Sequence, residues 1–386
     1  MVATIATGDD PLPHLGFRKL RLEPSQDRTI QGGFREDPAI STQNITTRSK
    51  ATRNQENDGY GYQAERRGDR CHGISGKPPT FTRPWRQVAD LELWGGSVVA
   101  EFLKHPHLYH IRAITRDPSK PKAQKLAAQG VELYCADLEG DREALTAAFS
   151  GAHVIYALTD FWQKQSAAAE FEQGKAIADA AAGITTLQHF IWSALPDPVA
   201  LSNGQFLNVH HWKDPEAGPL GKATTILFPN YFENTLTDPQ RYLPVKDASG
   251  TYNLRFPHSP QTVLPNVAIR DTGKLVHLVL EAGSTYFTKT IAFWAQALSE
   301  AEKLAELGSY YNVPTQYHAS SASEFQQLLM TRDGMSEDIA LDFTEQLLIF
   351  EKCGNVYARE EFVQARDIPG LKLQTWSEFI REHKLL

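Results

Sequence analysis

Residues 111–120 read Ile-Arg-Ala-Ile-Thr-Arg-Asp-Pro-Ser-Lys, a short apolar run that closes on Arg116 and is followed by a second cation, Lys120. Cations at the end of a strand suit an anionic ligand. In a nucleotide-binding βαβ unit the end of the second strand reads the adenosine ribose. An acid there bonds the 2′-hydroxyl of NAD, whereas an arginine accommodates the 2′-phosphate of NADP. Gly95 and Gly96 open a helical stretch about 20 residues upstream of Arg116, the separation that such a unit has. The spacing therefore predicts NADP. Two further strand ends join the constellation. Ala136-Asp137-Leu138 places an acid, Asp137, where adenine would lie, and Thr159-Asp160-Phe161 would pass the ribose and pyrophosphate. Asp137 has a plainer reading as the N-cap of the next helix.

These residues need a sheet to bring them together. The short apolar runs Ile111–Thr115, Val131–Cys135, His153–Leu158, His189–Ser193 and Thr225–Phe228 alternate with helical stretches over 120–130, 141–151 and 167–183, each ending in glycine. That rhythm predicts an α/β fold, a doubly wound Rossmann-type parallel sheet over residues 88–234. Near-continuous apolar strands such as His-Val-Ile-Tyr-Ala-Leu fit a sheet covered on both faces. After residue 235 the alternation weakens. Helical patterns at Asp271–Glu281, Ser323–Met330, Ser336–Phe350 and Thr375–Lys384 predict a smaller, mostly helical substrate lobe over 235–386.

The glycine-rich phosphate loop is the missing piece. The residues before Gly95 read Val-Ala-Asp-Leu-Glu-Leu-Trp, and Asp90 and Glu92 would carry negative charge towards phosphates. Residues 2–8, Val-Ala-Thr-Ile-Ala-Thr-Gly, look more like a first strand with a turn. We therefore expect Val2–Ala6 to supply strand one and residues 9–93 to be an insertion in the phosphate loop, the pattern that an exon-boundary error produces. Residues 1–87 lack a sustained period of 3.6 or 2, and most of this segment is expected to be disordered or an atypical extension.

Composition narrows the classes. The first 87 residues carry 14 Lys+Arg against 10 Asp+Glu and the remainder 25 against 36, so the body is acidic and offers no broad nucleic-acid footprint. No apolar run reaches the length of a membrane span. Three scattered cysteines, Cys71, Cys135 and Cys353, exclude a disulfide framework and fit a reducing compartment, the cytoplasm or the nucleus. Cys135 lies in an apolar run and is expected to be a buried structural thiol. No carboxylate or cysteine stands at ligand spacing from His210 and His211, so no metal site is expected.

From about Gly95 onward the chain resembles the NmrA-like family of atypical short-chain dehydrogenases. The matching stretches are GGSVV (95–99), RAITRDPSK (112–120), ADL (136–138), LTDFW (158–162), EQGK (172–175), HFIWSAL (189–195) and FPNYFEN (228–234). The resemblance implies that Arg116, Asp117, Pro118, Ser119 and Lys120 line the 2′-phosphate and that Asp137 and Leu138 flank the adenine. It places Thr159, Asp160 and Phe161 after strand four and closes Tyr231, Phe232, Glu233 and Asn234 over the nicotinamide. Lys213 is the nearest candidate for the family's cofactor-contacting lysine, in a stretch broken by Pro215, Gly218 and Pro219.

The implied function is an NADP-dependent oxidoreductase moving a hydride to or from a small organic substrate. No Tyr-x-x-x-Lys follows strand five, which leaves the catalytic residues unassigned. Ser193 and Tyr231 are candidates, with strand-end and packing roles as the alternatives. The same gap supports a second reading, a non-catalytic redox sensor that binds NADP and regulates a partner protein such as a transcription factor. A compact pocket of Phe161, Trp162, Tyr231 and Phe232 would favour the enzyme. A third reading is a gene product with neither activity.

Overall fold

The computed structural model describes residues 2–7, 95–138, 142–159, 161–210 and 221–386. All of these fall within one unit, made of Met1–Pro11 and Ser75–Leu386. The expectations for residues 9–87, Asp160 and Lys213 lie outside the described residues.

The first part of the unit alternates as the sequence predicts. Strands Val2–Thr7 (β1), Tyr109–Thr115 (β2), Glu132–Cys135 (β3), Val154–Ala157 (β4), His189–Ala194 (β5) and Ala223–Leu227 (β6) are interleaved with helices Gly95–Phe102 (α1), Pro121–Ala128 (α2), Arg142–Phe149 (α3), Ala167–Ala182 (α4) and Pro198–Leu201 (α5). Then come Asn230–Tyr231 (β7), Asn234–Thr237 (α6), Pro239–Tyr242 (α7), Val245–Lys246 (β8), Tyr252–Phe256 (β9), Val263–Val267 (β10) and Thr272–Glu281 (α8). The chain continues through Thr290–Ala292 (β11), Gln296–Ser299 (β12), Glu300–Tyr311 (α9) and Thr315–Ala319 (β13). It ends with Ala322–Asp333 (α10), Glu337–Cys353 (α11), Val363–Gln364 (β14) and Trp376–Glu382 (α12). None of the described helices is long and apolar enough to cross a membrane.

Eight strands form the central sheet in the order β14-β11-β6-β5-β4-β1-β2-β3. Every neighbouring pair is parallel except the two that involve β1. Both faces are covered, and the strands show it with a period of two. Ile111, Ala113, Val154, Tyr156, Ile191 and Ile226 join one buried cluster, which α1 and α8 cover with Val98, Val99, Phe102, Leu275, Val276 and Val279. Ile114, Ile155, Ala157, Phe190, Trp192 and Leu227 join the opposite cluster, which α3 and α4 cover with Leu145, Phe149, Ile177 and Ala181.

β1 takes the central seat expected of residues 2–6 but runs the other way. It pairs antiparallel with β2, Val2 opposite Ile114 and Thr7 opposite Tyr109, and antiparallel with β4, Ile5 opposite Val154. The strand therefore exits at the amino ends of its neighbours. That exit lies at the edge of the sheet opposite Arg116, and the insertion expected over residues 9–93 lies outside the described residues.

The later residues do more than add helices. They supply β11 and β14 to the central sheet and build two small sheets, β12-β10-β7 and β13-β9-β8. A third buried cluster gathers Phe232, Leu307, Trp376, Phe379 and Ile380. Serine and threonine N-caps start the long helices. Ser299 with Glu302, Ser321 with Glu324 and Thr375 with Glu378 form reciprocal capping boxes.

Candidate functional site

The loop after β2 brings Arg116, Asp117 and Lys120 to the carboxyl edge of the sheet. Arg116, Ser119 and Lys120 are exposed and Asp117 and Pro118 half-buried. The Asp117 carboxylate turns back into the loop, accepting from the Ser119 amide at 2.9 Å and the Ser119 hydroxyl at 2.5 Å. These bonds, with the nearby Lys120 charge, hold its carboxyl below the usual range. The Asp117 amide in turn donates to the Thr115 hydroxyl. α2 begins directly after Lys120 with Pro121 in its first turn and no side-chain cap. Two exposed cations and a helix terminus with uncapped amides thus occupy one loop, a setting suited to a phosphate.

The neighbouring strand ends converge on the same edge. Asp137 and Leu138 follow β3 and are half-buried, and the Ala136 amide donates to the Thr115 carbonyl, tying the two strand ends together. Cys135 is half-buried rather than buried, with its Sγ 3.6 Å from the Arg116 carbonyl. It lies at the end of the last strand of the sheet, where only one neighbour shields it. After β4 the Thr159 hydroxyl donates to Glu170 Oε1 at 2.7 Å, so a buried carboxylate on α4 fixes this strand end. Phe161 is buried and meets Trp162 edge-on. Trp162 stacks on Phe343 of α11, centroids 5.0 Å apart, and the Arg241 guanidinium lies 4.1 Å over the other ring. The sequence reading did not single out Glu170, Arg241 or Phe343. Only their place in the fold, far along the chain, brings them here.

The stretch Tyr231 to Asn234 splits between two faces. Tyr231 is half-buried and packs against the cluster under α1 and α8. Phe232 is fully buried, 5.4 Å from the Trp376 ring and 5.6 Å from the Phe379 ring, in the third cluster. Glu233 is buried, and both its carboxylate oxygens lie 3.0 Å from the Ile269 amide. Burial raises its pKa against the backbone bonds that lower it. Asn234 is half-buried at the start of α6. Phe161, Trp162, Tyr231 and Phe232 therefore do not form one compact pocket, since Phe232 and Tyr231 belong to different cores and Phe161 and Trp162 turn towards α11.

Ser193 near the end of β5 is buried close to Tyr156 on β4, whose phenol oxygen is buried without a hydrogen-bond partner among the described residues. Burial pushes the Tyr156 phenol far above its ordinary value, so it stays protonated. At the foot of the same strand His189 is buried, its Nε2 2.7 Å from Thr224 Oγ1. The Thr224 hydroxyl donates to the Tyr286 carbonyl, so His189 Nε2 carries the proton. Desolvation lowers its pKa to about 4.

Where the sequence reading expects a pyrophosphate, the described residues offer the start of α1. Gly95 is buried, Gly96 half-buried, and no acid lies in the first turn.

Residues 93–380 match a family model described as the NmrA-like family. An NmrA-like family domain-containing protein of Dictyostelium discoideum is 24% identical over 302 residues, which span 75% of this chain and 93% of that protein. The NmrA-like family domain-containing oxidoreductase FrzB of a Cladobotryum species is 30% identical over 206 residues, 47% of this chain and 60% of FrzB, so the aligned part is less than two thirds of that relative. Among solved structures, NmrA, a negative transcriptional regulator, in complex with NAD superposes with a TM-score of 0.60 at 21% identity, covering 74% of this chain and 90% of that one. The NADPH-dependent quinone oxidoreductase QOR2 from Escherichia coli, complexed with NADPH, gives 0.56 at 19% identity, covering 75% and 95%.

Proposed function

The chain belongs to the NmrA-like family, and from that premise we propose that it binds NADP at the carboxyl edge of its central sheet and acts as an oxidoreductase on a small organic substrate. The observation that carries this reading is the loop after β2, where Arg116 and Lys120 flank the uncapped start of α2 and Asp117 is turned inward onto Ser119. A 2′-phosphate matches that donor set, and a bare 2′-hydroxyl would leave it unanswered. Arg116, Ser119 and Lys120 would hold the phosphate, Asp137 and Leu138 would border the adenine, and the amides at Gly95 and Gly96 would face the pyrophosphate. When bound, the dinucleotide supplies or accepts the hydride. Trp162 and Phe343 offer an aromatic wall between the β4 end and α11 for an apolar substrate. The scattered cysteines support a reducing compartment, cytosol or nucleus.

A redox sensor that binds NADP and controls a protein partner is the second reading. The missing Tyr-x-x-x-Lys after β5 favours it, since the Tyr156 phenol near Ser193 is buried without a hydrogen-bond partner among the described residues and burial keeps it protonated.

Titrating NADPH and NADH into the full chain and into Arg116→Ala tests the cofactor assignment. A charge-assisted bond contributes about 1.5–3 kcal/mol, so the variant is expected to lose roughly 10- to 100-fold in NADPH affinity while NADH is unaffected. Equal binding of both dinucleotides by both proteins overturns it. Turnover of NADPH with a panel of quinones and aldehydes then separates the enzyme from the sensor.

A further inference from the structure

A cavity of about 390 Å³ opens between α7, the β8–β9 hairpin, β13 and α10. It shares no residue with the loops at the carboxyl ends of β2 to β5. Four cations line it, Arg241, Lys246, Arg255 and Arg332, in a unit whose body is acidic. The one carboxylate in the lining, Asp247, is committed to its own turn. It accepts from the Ser249 amide and hydroxyl, the Thr251 amide and the Asn253 side chain at 2.6 to 3.1 Å.

Outside the lining, Asp238 pairs with Arg241 and Asp333 with Arg332. Those two guanidinium groups are held in place, Arg241 also by the Phe343 ring beneath it. Lys246 and Arg255 are exposed and make no salt bridge among the described residues. Lys246 lies 5.6 Å from the Tyr252 ring, and Arg255 feels the Glu324 charge. The rest of the wall joins the apolar Leu243, Val245, Leu254 and Leu328 to the polar Gln240, Asn253 and His318. Val245 is 62% exposed, the most exposed large hydrophobic residue among the described residues, and it stands beside Lys246.

We propose that this cavity is a second binding site, for an organic anion that joins an apolar body to a carboxylate or phosphate monoester. The leucines and Val245 take the body. Lys246 and Arg255 close on the anionic head, and Arg241 and Arg332 present donors fixed in advance by their acidic partners. The volume falls in the range of small-molecule pockets, and the mixture of an apolar wall with a few convergent charges is the usual composition of such sites. The cavity meets the Trp162–Phe343 wall only through Arg241, and the proposal does not depend on the NADP assignment.

Calorimetric titration of the full chain with 4-phenylbutyrate, phenyl phosphate and the uncharged 4-phenylbutanol tests it. Saturable binding of at least one anion is expected, with the alcohol at least about tenfold weaker. The tighter of the two anions identifies the head group. The double variant Lys246→Ala/Arg255→Ala should lose at least about tenfold in anion affinity while its thermal midpoint and its NADPH binding stay at wild-type values. Phenyl phosphate binding that survives in Arg116→Ala places it outside the dinucleotide loop. Failure of both anions to bind, equal binding of the alcohol, or undiminished binding by the double variant overturns the proposal.

Discussion

Gly273→Ala should loosen the protein from a position that touches neither ligand. A Cβ at residue 273 would lie 2.2 Å from the Ser97 carbonyl oxygen, 2.7 Å from the Glu101 Cβ and 2.9 Å from the Ser97 carbonyl carbon. Two of these three atoms are backbone, so α1 must move bodily by roughly 1 Å to restore ordinary contact. The surrounding side chains, Val98, Val99, Phe102, Leu275, Val276 and Val279, are all at most 1% exposed, which leaves no room for the shift to be absorbed. Overpacking costs about 1–3 kcal/mol, and with a backbone oxygen at 2.2 Å the upper part of that range, about 2–3 kcal/mol, applies, while alanine recovers about 1 kcal/mol of helix propensity. The net expectation is a loss of about 1–2 kcal/mol, seen as a lower urea midpoint with an unchanged slope. Because α1 begins at Gly95 and Gly96, its displacement should also weaken NADPH binding several-fold. Gly183→Ala is the control. Its φ is −81° and the added Cβ would lie 3.5 Å from the Ala180 carbonyl oxygen, so it should be neutral or stabilising by up to about 1 kcal/mol. A Gly273→Ala protein as resistant to urea as the wild type would refute the packing account of the α1–α8 contact.

Two further predictions concern stability. Phe232→Ala should cost about 3–5 kcal/mol, because the ring is fully buried against Trp376 and Phe379. Chemical denaturation reads it, and a variant of wild-type stability with lost NADPH affinity would instead return Phe232 to the cofactor. His189 makes stability depend on pH. Its folded pKa, about 4, lies below that of an exposed imidazole, so the unfolded chain takes up the proton first. Stability should be full above about pH 6.5 and fall by about 3 kcal/mol as the pH drops towards 4. Burial lowers His258 as well and adds in the same direction. His189→Gln should flatten part of this slope in denaturation curves measured across that range, and an unchanged slope sinks the assignment.

The strands after residue 108 were legible because both sheet faces are covered, which writes each strand as an apolar run such as Phe190 to Trp192. The helices at 272–281, 322–333, 337–353 and 376–382 were equally visible from their periodicity. α9 was not read, although Ser299 and Glu302 spell a capping box, since a four-residue signal is short. The short strands β8, β9, β12 and β13 escaped because edge and half-buried strands such as Thr315–Ala319 carry few apolar residues. At the candidate site, Arg116 and Lys120 stood out from their place after an apolar run, and the residues between them followed from the resemblance. The partners of Thr159 and Trp162 were not, because Glu170 and Phe343 reach them only through the packing of α4 and α11.

β1 marks the limit of what a pattern can specify. Val-Ala-Thr-Ile-Ala-Thr meets the demands of the seat between β2 and β4, with Ala3 and Ile5 entering the cluster under α1 and Thr4 buried on the other side. Alternation with a period of two reads the same in both directions, so it selects the seat and leaves the direction open. Direction decides which edge of the sheet the chain leaves from. With Thr7 beside Tyr109, the strand cannot deliver a glycine turn to the edge where Arg116 stands. If the chain binds NADP as proposed, the pyrophosphate would rely on the start of α1 and the adenosine end on the cations around α2. A dinucleotide gripped this unevenly depends on its 2′-phosphate more than one cradled by a full glycine loop. Arg116→Ala should for that reason take away most of the NADPH affinity rather than a share of it, leaving NADPH and NADH nearly alike.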